Sequence, residues 1–365
     1  MPETLAAQPI HAIEAVTHAD PYPWYQALRE DRPLYFDDSL KLWVASSQAV
    51  ISEAFQHTAL HVRPPAEPVP PALQGTAAGE LFARLVRMTD GGFHALHKPA
   101  VTQTARRWRL ADVARASEAA TAGLQPRLGA NALMSRLPVQ VMASLLEVPG
   151  GELEATCDRV QQFVQGIAPG ASQTAVALAS EAAGALMAQG RALGLDAVQA
   201  ANRVGFMQQS LDATAGLIGH TALMMAQHPQ AAAIADGSPE AMRDFVAEVE
   251  RHQAPIQNTR RFASQALKLA GQQLQAGQGV LLVLASGNRD EAFNPQAARF
   301  EPLRTGRRSL GFGAGRHVCP GAPIAIEIVA ACVHWMRAAG RFDAYFDAQT
   351  GFRPLGNARI PVFEE

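Results

Sequence analysis

The spacing of apolar positions changes along the chain, and each change predicts an element. "DPYPWYQALREDRPLYFDDSLKLWVASSQAVISEAF" (Asp20–Phe55) reads as a short helix, two strands and a second helix, with "LKLWVAS" supplying the hairpin strand. "RPPAEPVPPALQG" (Arg63–Gly75) breaks any period with prolines and predicts a loop. From about Ala100 to Arg251 the period is helical and the content is Ala, Leu, Gln and Met, all good helix formers. "GVLLVLASGN" (Gly279–Asn288) is strand-like, and a long irregular stretch follows it. "GAPIAIEIVAACVHWMRAAG" (Gly321–Gly340) predicts a helix closed by glycine. No repeat is present. The early and late strands are expected to pair, which predicts a single domain over 1–365.

Composition agrees with a helix-rich globular chain. Of 365 residues 48% are hydrophobic and 18% charged. A net charge of −2 gives no global attraction to nucleic acid. The N-terminus lacks the basic and apolar segments of a signal peptide, and no run reaches the ~20 apolar residues needed to span a bilayer. Three scattered cysteines (Cys157, Cys319 and Cys332) form neither a disulfide framework nor a zinc pattern. The expectation is a reduced, cytoplasmic protein that binds neither nucleic acid nor membrane.

One cysteine stands in unusual company. "GFGAGRHVCPGAPIA" (Gly311–Ala325) sets Cys319 between a glycine-rich turn and a helix start. Glycines 313, 315 and 321 permit a tight turn and a close approach of backbone to a flat group. A helix start favours negative sulfur. The string Phe312-Gly313-x-Gly315-x-His317-x-Cys319-x-Gly321 resembles the haem-binding loop of the cytochrome P-450 family, and the resemblance covers nearly the whole chain. Upstream, Glu248-Val249-Glu250-Arg251 is similar to the family's buried Glu-x-x-Arg pair, with both side chains on one helix face. "ASGNRDEAFNPQAARFEPLR" (285–304) resembles the stretch before the haem loop, and "DPYPWYQALRED" fits the soluble bacterial branch.

The resemblance implies a mainly α fold with small β-sheets, the haem (heme b, iron protoporphyrin IX) lying between a distal helix and the Cys loop. It implies Cys319 as iron ligand, with Phe312, Gly313, His317 and Gly321 in the haem loop. Arg261 falls where the family places an arginine on a haem propionate, and His317 is a second propionate candidate. "DGGFHALHKPAV" offers His94 and Lys98 for the family's His-x-x-x-Arg. Lysine keeps the charge there but loses the planar fork. If the helix begins near Lys98, Pro99 takes its first position and the pairing of His94 with Lys98 fails.

Two departures bear on activity. "FMQQSLDATAGLIGHTALMMAQHP" (206–229) is similar to the distal helix, with Asp212 as its proton-relay acid. The alcohol position is then Ala213, and Thr214 comes one residue, about 100°, late. Gln209 shares a face with Ala213 and points either toward the haem or to solvent. Asp212, Gln209 and Thr214 are the catalytic candidates. The second departure is a short roof: "PGASQTAVALASEAAGALMAQGRALGLD" (169–196) must do the work of several helices, which suits a large or carrier-bound substrate.

Substrate contacts are expected from 64–86, Gln209, Ala213, Ile256, Asn258, Thr259 and "LGNARIP" (355–361), where Arg359 meets either an acidic substrate group or solvent. The arginines of "ARRWRL" and "RTGRRSLGFGAGR" either dock an acidic ferredoxin or flavodoxin or are simply solvated. The resemblance therefore implies a monooxygenase inserting oxygen into a small organic substrate of bacterial secondary metabolism, with ferredoxin-type electrons. A peroxide-driven or non-oxygenating haem-thiolate enzyme (peroxygenase, coupling, rearrangement) is the alternative, and so is a non-catalytic haem protein docking on a carrier protein.

Overall fold

The structure is a computed structural model, and it describes residues 8–123 and 128–364. In chain order its elements are α1 (Tyr22–Asp31), β1 (Leu34–Asp37), β2 (Leu42–Ala45), α2 (Gln48–Gln56), β3 (Leu60–His61), α3 (Ala77–Ala83), α4 (Gly91–Arg106), α5 (Leu110–Ala122), α6 (Ala130–Leu145), α7 (Leu153–Gly166), α8 (Gln173–Ala192), α9 (Ala197–Gln227), α10 (Pro229–Ala235), α11 (Pro239–Gln253), β4 (Thr259–Ala263), β5 (Leu267–Leu269), β6 (Gln272–Leu274), β7 (Gly279–Leu282), α12 (Leu284–Asn288), α13 (Ala322–Ala338), β8 (Gln349–Phe352) and β9 (Pro361–Phe363). The fold is mainly α with small sheets. Among the described residues no helix is long and apolar enough to cross a membrane.

Helix starts follow local chemistry. Ser47, Thr76, Ser172 and Ser238 cap α2, α3, α8 and α11 by accepting a backbone N–H three residues on. Pro239 and Pro323 lie in the first turns of α11 and α13, where a missing N–H costs nothing.

The chain divides into two compact units. The first comprises Met1–Leu60, Gly216–Cys319 and Arg341–Glu365. It is built on a five-stranded sheet of order β1-β2-β7-β4-β3, with two-stranded ribbons β5–β6 and β8–β9. The early and late strands do pair: β2 runs parallel to β7, Trp43 opposite Val280. β7 is buried on both faces, as its unbroken apolar run requires. Its alternate side chains feed two cores. Val280 and Leu282 join Ile51, Phe55 and Leu310, while Leu281 and Val283 join Tyr25 and Ala285.

The strand expected over 279–288 is half strand and half helix. β7 ends at Leu282, where its ladder with β2 runs out, and α12 takes over. The small residues explain the turn. A Cβ on Gly287 would collide with Leu310 and Ile51, and Asn288 turns its polar side chain inward to bond a later loop.

The second unit comprises His61–Ala215 and Pro320–Gly340 and is helical. Helices α7 and α8 pair as a hairpin, and α5 packs on α13. Small residues set the spacing. A Cβ on Gly166 would enter Ala179, and one on Gly190 would lie 2.7 Å from Ala200 Cβ. The stretch 169–196 supplies one helix, α8, in place of the several helices whose work the sequence assigned to it.

α4 corrects the helix start near Lys98. It begins at Gly91 and runs through Pro99 to Arg106. Proline inside it removes one N–H and leaves the chain helical, so His94 and Lys98 lie one turn apart on one face.

Candidate functional site

The first unit holds the cysteine loop by a framework of buried ions. Glu248 and Arg251, on consecutive turns of α11, are fully buried and joined by two bonds, Nε–H to Oε2 at 2.9 Å and Nη2–H to Oε1 at 2.7 Å. Arg251 also donates to the carbonyls of Asn288, Ala297 and Arg299. Glu248 accepts in addition from the Glu301 amide, Arg304 Nε and Arg307 Nε at 3.0–3.2 Å. Burial pushes the Glu248 carboxyl up, but the bonds and charge of Arg251 and the further donors outweigh it and hold the group below its usual range. Removing either partner of such a pair leaves a buried charge uncompensated.

From this framework two asparagines reach the loop. Asn294 brackets Arg308, its Oδ1 accepting from the Arg308 amide and its Nδ2 donating to the Arg308 carbonyl. Asn288 Oδ1 accepts from the Leu310 amide at 2.6 Å. Backbone bonds continue the path: Gly313 N–H to Leu310 O at 2.8 Å, then Cys319 N–H to Phe312 O at 2.9 Å. Gly313 and Gly315 take positive φ, +69° and +64°. A Cβ on Gly315 would lie 2.8 Å from Phe55 O, so only glycine fits. A Cβ on Gly313 would touch His317 O at 3.6 Å, ordinary contact, so there the positive φ and not a clash asks for glycine.

Cys319 is half-exposed, whereas Cys157 and Cys332 are buried. Burial pushes the Cys157 and Cys332 thiols up to about 12, so neither forms a thiolate readily. A half-exposed thiol on a pinned glycine turn fits a thiolate ligand to a flat macrocycle. Among the described residues no cluster of three or more His, Cys, Asp or Glu forms a competing metal site.

The other candidates of this unit take definite places. Arg261 on β4 is 7% exposed, donates to Arg260 O and Thr259 Oγ1, and lies over the Phe55 ring at 5.1 Å. His317 and Phe312 are half-buried in the loop. Ile256 bridges Ala358, and Asn258 Nδ2 donates to Gly356 O, so the structure brings 256–259 and the "LGNARIP" segment together. Asn258 is buried and spends that amide on backbone. Arg359 faces neither of its expected partners. It is 3% exposed and donates to the carbonyls of Val16, His18 and Ala19. Arg304, Arg307 and Arg316 are likewise internal clamps and not solvated arginines. The first two hold Glu248, and Arg316 donates to the carbonyls of His57, Thr58 and Leu60.

In the second unit His94 is buried, and Lys98 follows it by one turn on α4. Gly321 precedes α13 and accepts from the Ala325 amide. On α9, Thr214 is buried while Asp212 and Ala213 are half-buried. Gln209 is exposed, and its Nε2 donates back to Gly205 O at 2.9 Å. A side chain at 205 would crowd that amide, so the glycine there makes the fold-back possible.

Sequence reading missed Asn294, Glu250 and the pairing of His252 with Arg289. His252 Nε2–H donates to Ala298 O at 2.9 Å, which leaves Nδ1 to accept from Arg289 at 3.0 Å. Burial and the Arg289 charge push His252 down to about 2, so it is neutral. The crowding of four acids and bases into 248–252 was the available signal.

Comparison with known proteins agrees with this geometry. The Cytochrome P450 family model matches residues 240–337. Linalool 8-monooxygenase of Pseudomonas putida is 39% identical over 114 residues, 31% of this chain and 28% of that protein. The match thus spans little more than a quarter of the relative's length. P450BioI, solved in complex with hexadec-9Z-enoic acid ligated acyl carrier protein, superimposes with a TM-score of 0.78 at 20% identity, over 93% of this chain and 96% of that one. P450 RauA, solved with a biosynthetic intermediate of aurachin RE, gives 0.79 at 20% identity over 97% of each. A helical fold with a glycine-lined cysteine loop over a buried Glu-x-x-Arg pair is the cytochrome P450 fold. The chain has this fold, and residues 240–337 match the model of that family.

Proposed function

We propose that the chain is a haem-thiolate monooxygenase that inserts one oxygen atom into an organic substrate of bacterial secondary metabolism. The observation that carries this is Cys319, a half-exposed thiol at the end of a pinned loop, beside two cysteines that are buried and inert. A haem held by a thiolate supplies the cleavage of an O–O bond.

The residues of this chain do the rest. Cys319 Sγ binds the iron of an iron protoporphyrin IX, with Phe312, Gly313 and Gly321 shaping its approach. Arg261, His317, His94 and Lys98 offer positive charge or N–H groups to the propionates. Asp212 holds and hands on a proton at its carboxylate. With Ala213 where an alcohol is expected, the second relay group is water, a substrate group, the Gln209 amide or Thr214 Oγ1. Ile256, Thr259, Gln209 and Ala213 contact substrate, and Asn258 orients the segment that carries them. The substrate is free or carrier-bound. The acyl carrier complex of the P450BioI neighbour and the biosynthetic ligand of the RauA neighbour support both forms. Electrons come from a cytoplasmic ferredoxin or flavodoxin. With Arg304, Arg307 and Arg316 committed internally and Arg109 paired with Asp112, Arg106, Arg107 and Arg308, all exposed, are the remaining donor contacts.

A second reading, a peroxide-driven enzyme, is favoured by one observation: Ala213 cannot pass a proton. The test is labelled dioxygen with NADPH, ferredoxin and its reductase, over a panel of terpenoid, polyketide and carrier-bound acyl substrates, against hydrogen peroxide alone. Label in a product that needs the electron donors is the expected result. Turnover by peroxide only would replace the monooxygenase with the second reading, and no turnover by either would favour a haem protein that serves as a docking partner.

A further inference from the structure

Residues 62–86 lead from β3 toward α4, and three side chains bond their backbone to neighbouring helices. Asp90, just before α4, accepts from the Val62 amide at 2.7 Å. Ser180 of α8 accepts from the Ala77 amide at 3.0 Å. Asn202 of α9 holds the far end. Its Oδ1 accepts from the Val86 amide at 3.0 Å, and its Nδ2 donates to Arg84 O at 3.0 Å. The second Nδ2 proton goes to Val198 O at 2.8 Å, one turn back on α9. The amide oxygen faces an N–H and the amide nitrogen faces two carbonyls, so a single orientation of the side chain satisfies all three bonds.

Asn202 therefore grips the peptide groups on either side of Leu85. Leu85 is 1% exposed, and its Cδ2 would lie 3.1 Å from a Cβ on Gly205. The same Cβ would lie 3.4 Å from Gln209 Nε2. Leu85 and Gln209 thus border one notch, left by the missing side chain. Positions 198, 202, 205 and 209 follow at steps of three and four residues, so they form one stripe of α9. In that stripe the Gln209 amide is folded back on Gly205 O. With Leu85 filling the notch, the amide keeps to this bond. An emptied notch would give it room to turn.

We propose that Asn202 is a positioning residue for Gln209: it brackets Leu85, Leu85 fills the Gly205 notch, and the filled notch sets where the Gln209 amide stands. The proposal rests on the reading of Gln209 as a substrate contact. It makes the end of the loop at 84–86 and the α9 stripe one wall, held by a residue that touches no substrate itself.

The test has two readouts on the full chain. Amide hydrogen exchange over 84–88 reads the clamp and needs no haem. Asn202→Ala should lower protection at Val86 about tenfold, the size expected for one lost hydrogen bond. Asn202→Asp keeps the oxygen to which Val86 donates and should restore most of that protection. Soret titration of the haem-loaded chain with imidazole and with 4-phenylimidazole reads the wall. Imidazole reports access to the iron, and the phenyl ring reaches beyond it. Asn202→Ala, Leu85→Ala and Gln209→Ala should each weaken 4-phenylimidazole about fivefold and leave imidazole unchanged. Asn202→Ala combined with Gln209→Ala should weaken it no further, because the two act through one contact. Additive losses would overturn the proposal, and so would full Val86 protection in Asn202→Ala or a loss in Asn202→Ala that Gln209→Ala does not share. Unchanged 4-phenylimidazole binding in all three variants, with Val86 protection lost in Asn202→Ala, would count against Gln209 as a substrate contact and not against the clamp. A chain that took up no haem would count against Cys319 as ligand, and exchange at Val86 would still decide whether Asn202 holds Leu85.

Discussion

The two units solve different problems with different forces. In the first, the segment that presents Cys319 hangs from directional bonds: the Glu248–Arg251 pair, Arg304, Arg307, Asn288 and Asn294. In the second, helices meet through small residues such as Gly166 and Ala179 or Gly190 and Ala200, and ion pairs such as Arg136 with Glu154 and Asp158 stay at the surface. Directional bonds inside a low-dielectric interior fix one geometry and fail badly when one partner is lost. Apolar contact has no preferred direction and tolerates compensating changes. The ligand loop needs the first kind of support, because its function depends on where one sulfur stands.

Substitutions can break this contrast. The largest effect is expected from Arg251→Leu, which strands Glu248 without its two bonds. The cost should be about 3–5 kcal/mol, seen as loss of soluble folded protein or a large drop in Tm. A pair of glycine changes sharpens the comparison. Gly315→Ala and Gly190→Ala should each cost roughly 1–3 kcal/mol by overpacking. The second should be rescued by Ala200→Gly, because its clash is with a side chain. No side-chain change can rescue the first, because its clash is with Phe55 O at a positive φ. Denaturant midpoints of the single and double variants check both.

Acid should find the same difference. Burial pushes His220 down to about 3 and His252 to about 2. Both belong to the first unit, and each is held neutral in the fold. Their folded pKa values lie below the unfolded value near 6.5, so the unfolded chain binds more protons as pH falls. Their stabilisation is complete above 6.5 and is lost below it by about 1.4 kcal/mol per pH unit for each group. Glu250 acts in the opposite sense. Its folded pKa is raised, so the fold binds the extra proton between 4.5 and about 7, and this group's contribution declines as pH rises through that window. Two histidines outweigh one carboxyl below 6.5. Exchange at pH 5 should therefore open the first unit before the second. The smallest effect is expected from Arg136→Ala, which gives up exposed pairs worth below about 1 kcal/mol and should barely move Tm.

Much of this was legible in sequence because it depends on local pattern. The Cys319 loop, the Glu-x-x-Arg spacing and the pairing of an early with a late strand needed only motif and period. What escaped depends on contacts from distant segments. Glu250 stands in the sequence only as an unassigned position inside the Glu-x-x-Arg string, and it is buried because residues 301–311 fold over the end of α11. Arg304, Arg307 and Arg316 read as a basic patch because charge runs are usually solvated. Here they turn inward to carbonyls and to Glu248, which no spacing along the chain reveals. α4 was uncertain in sequence because proline is a breaker by propensity, and packing overrides propensity at one position.

The central claim is that Cys319 is the iron ligand. The carbon monoxide difference spectrum of the reduced protein, repeated on Cys319→Ala, tests it most directly. The account predicts the strongly red-shifted Soret band of a thiolate-ligated haem in the wild type and its loss in the variant. A band at the position of a neutral ligand, or the red-shifted band persisting in Cys319→Ala, would contradict it.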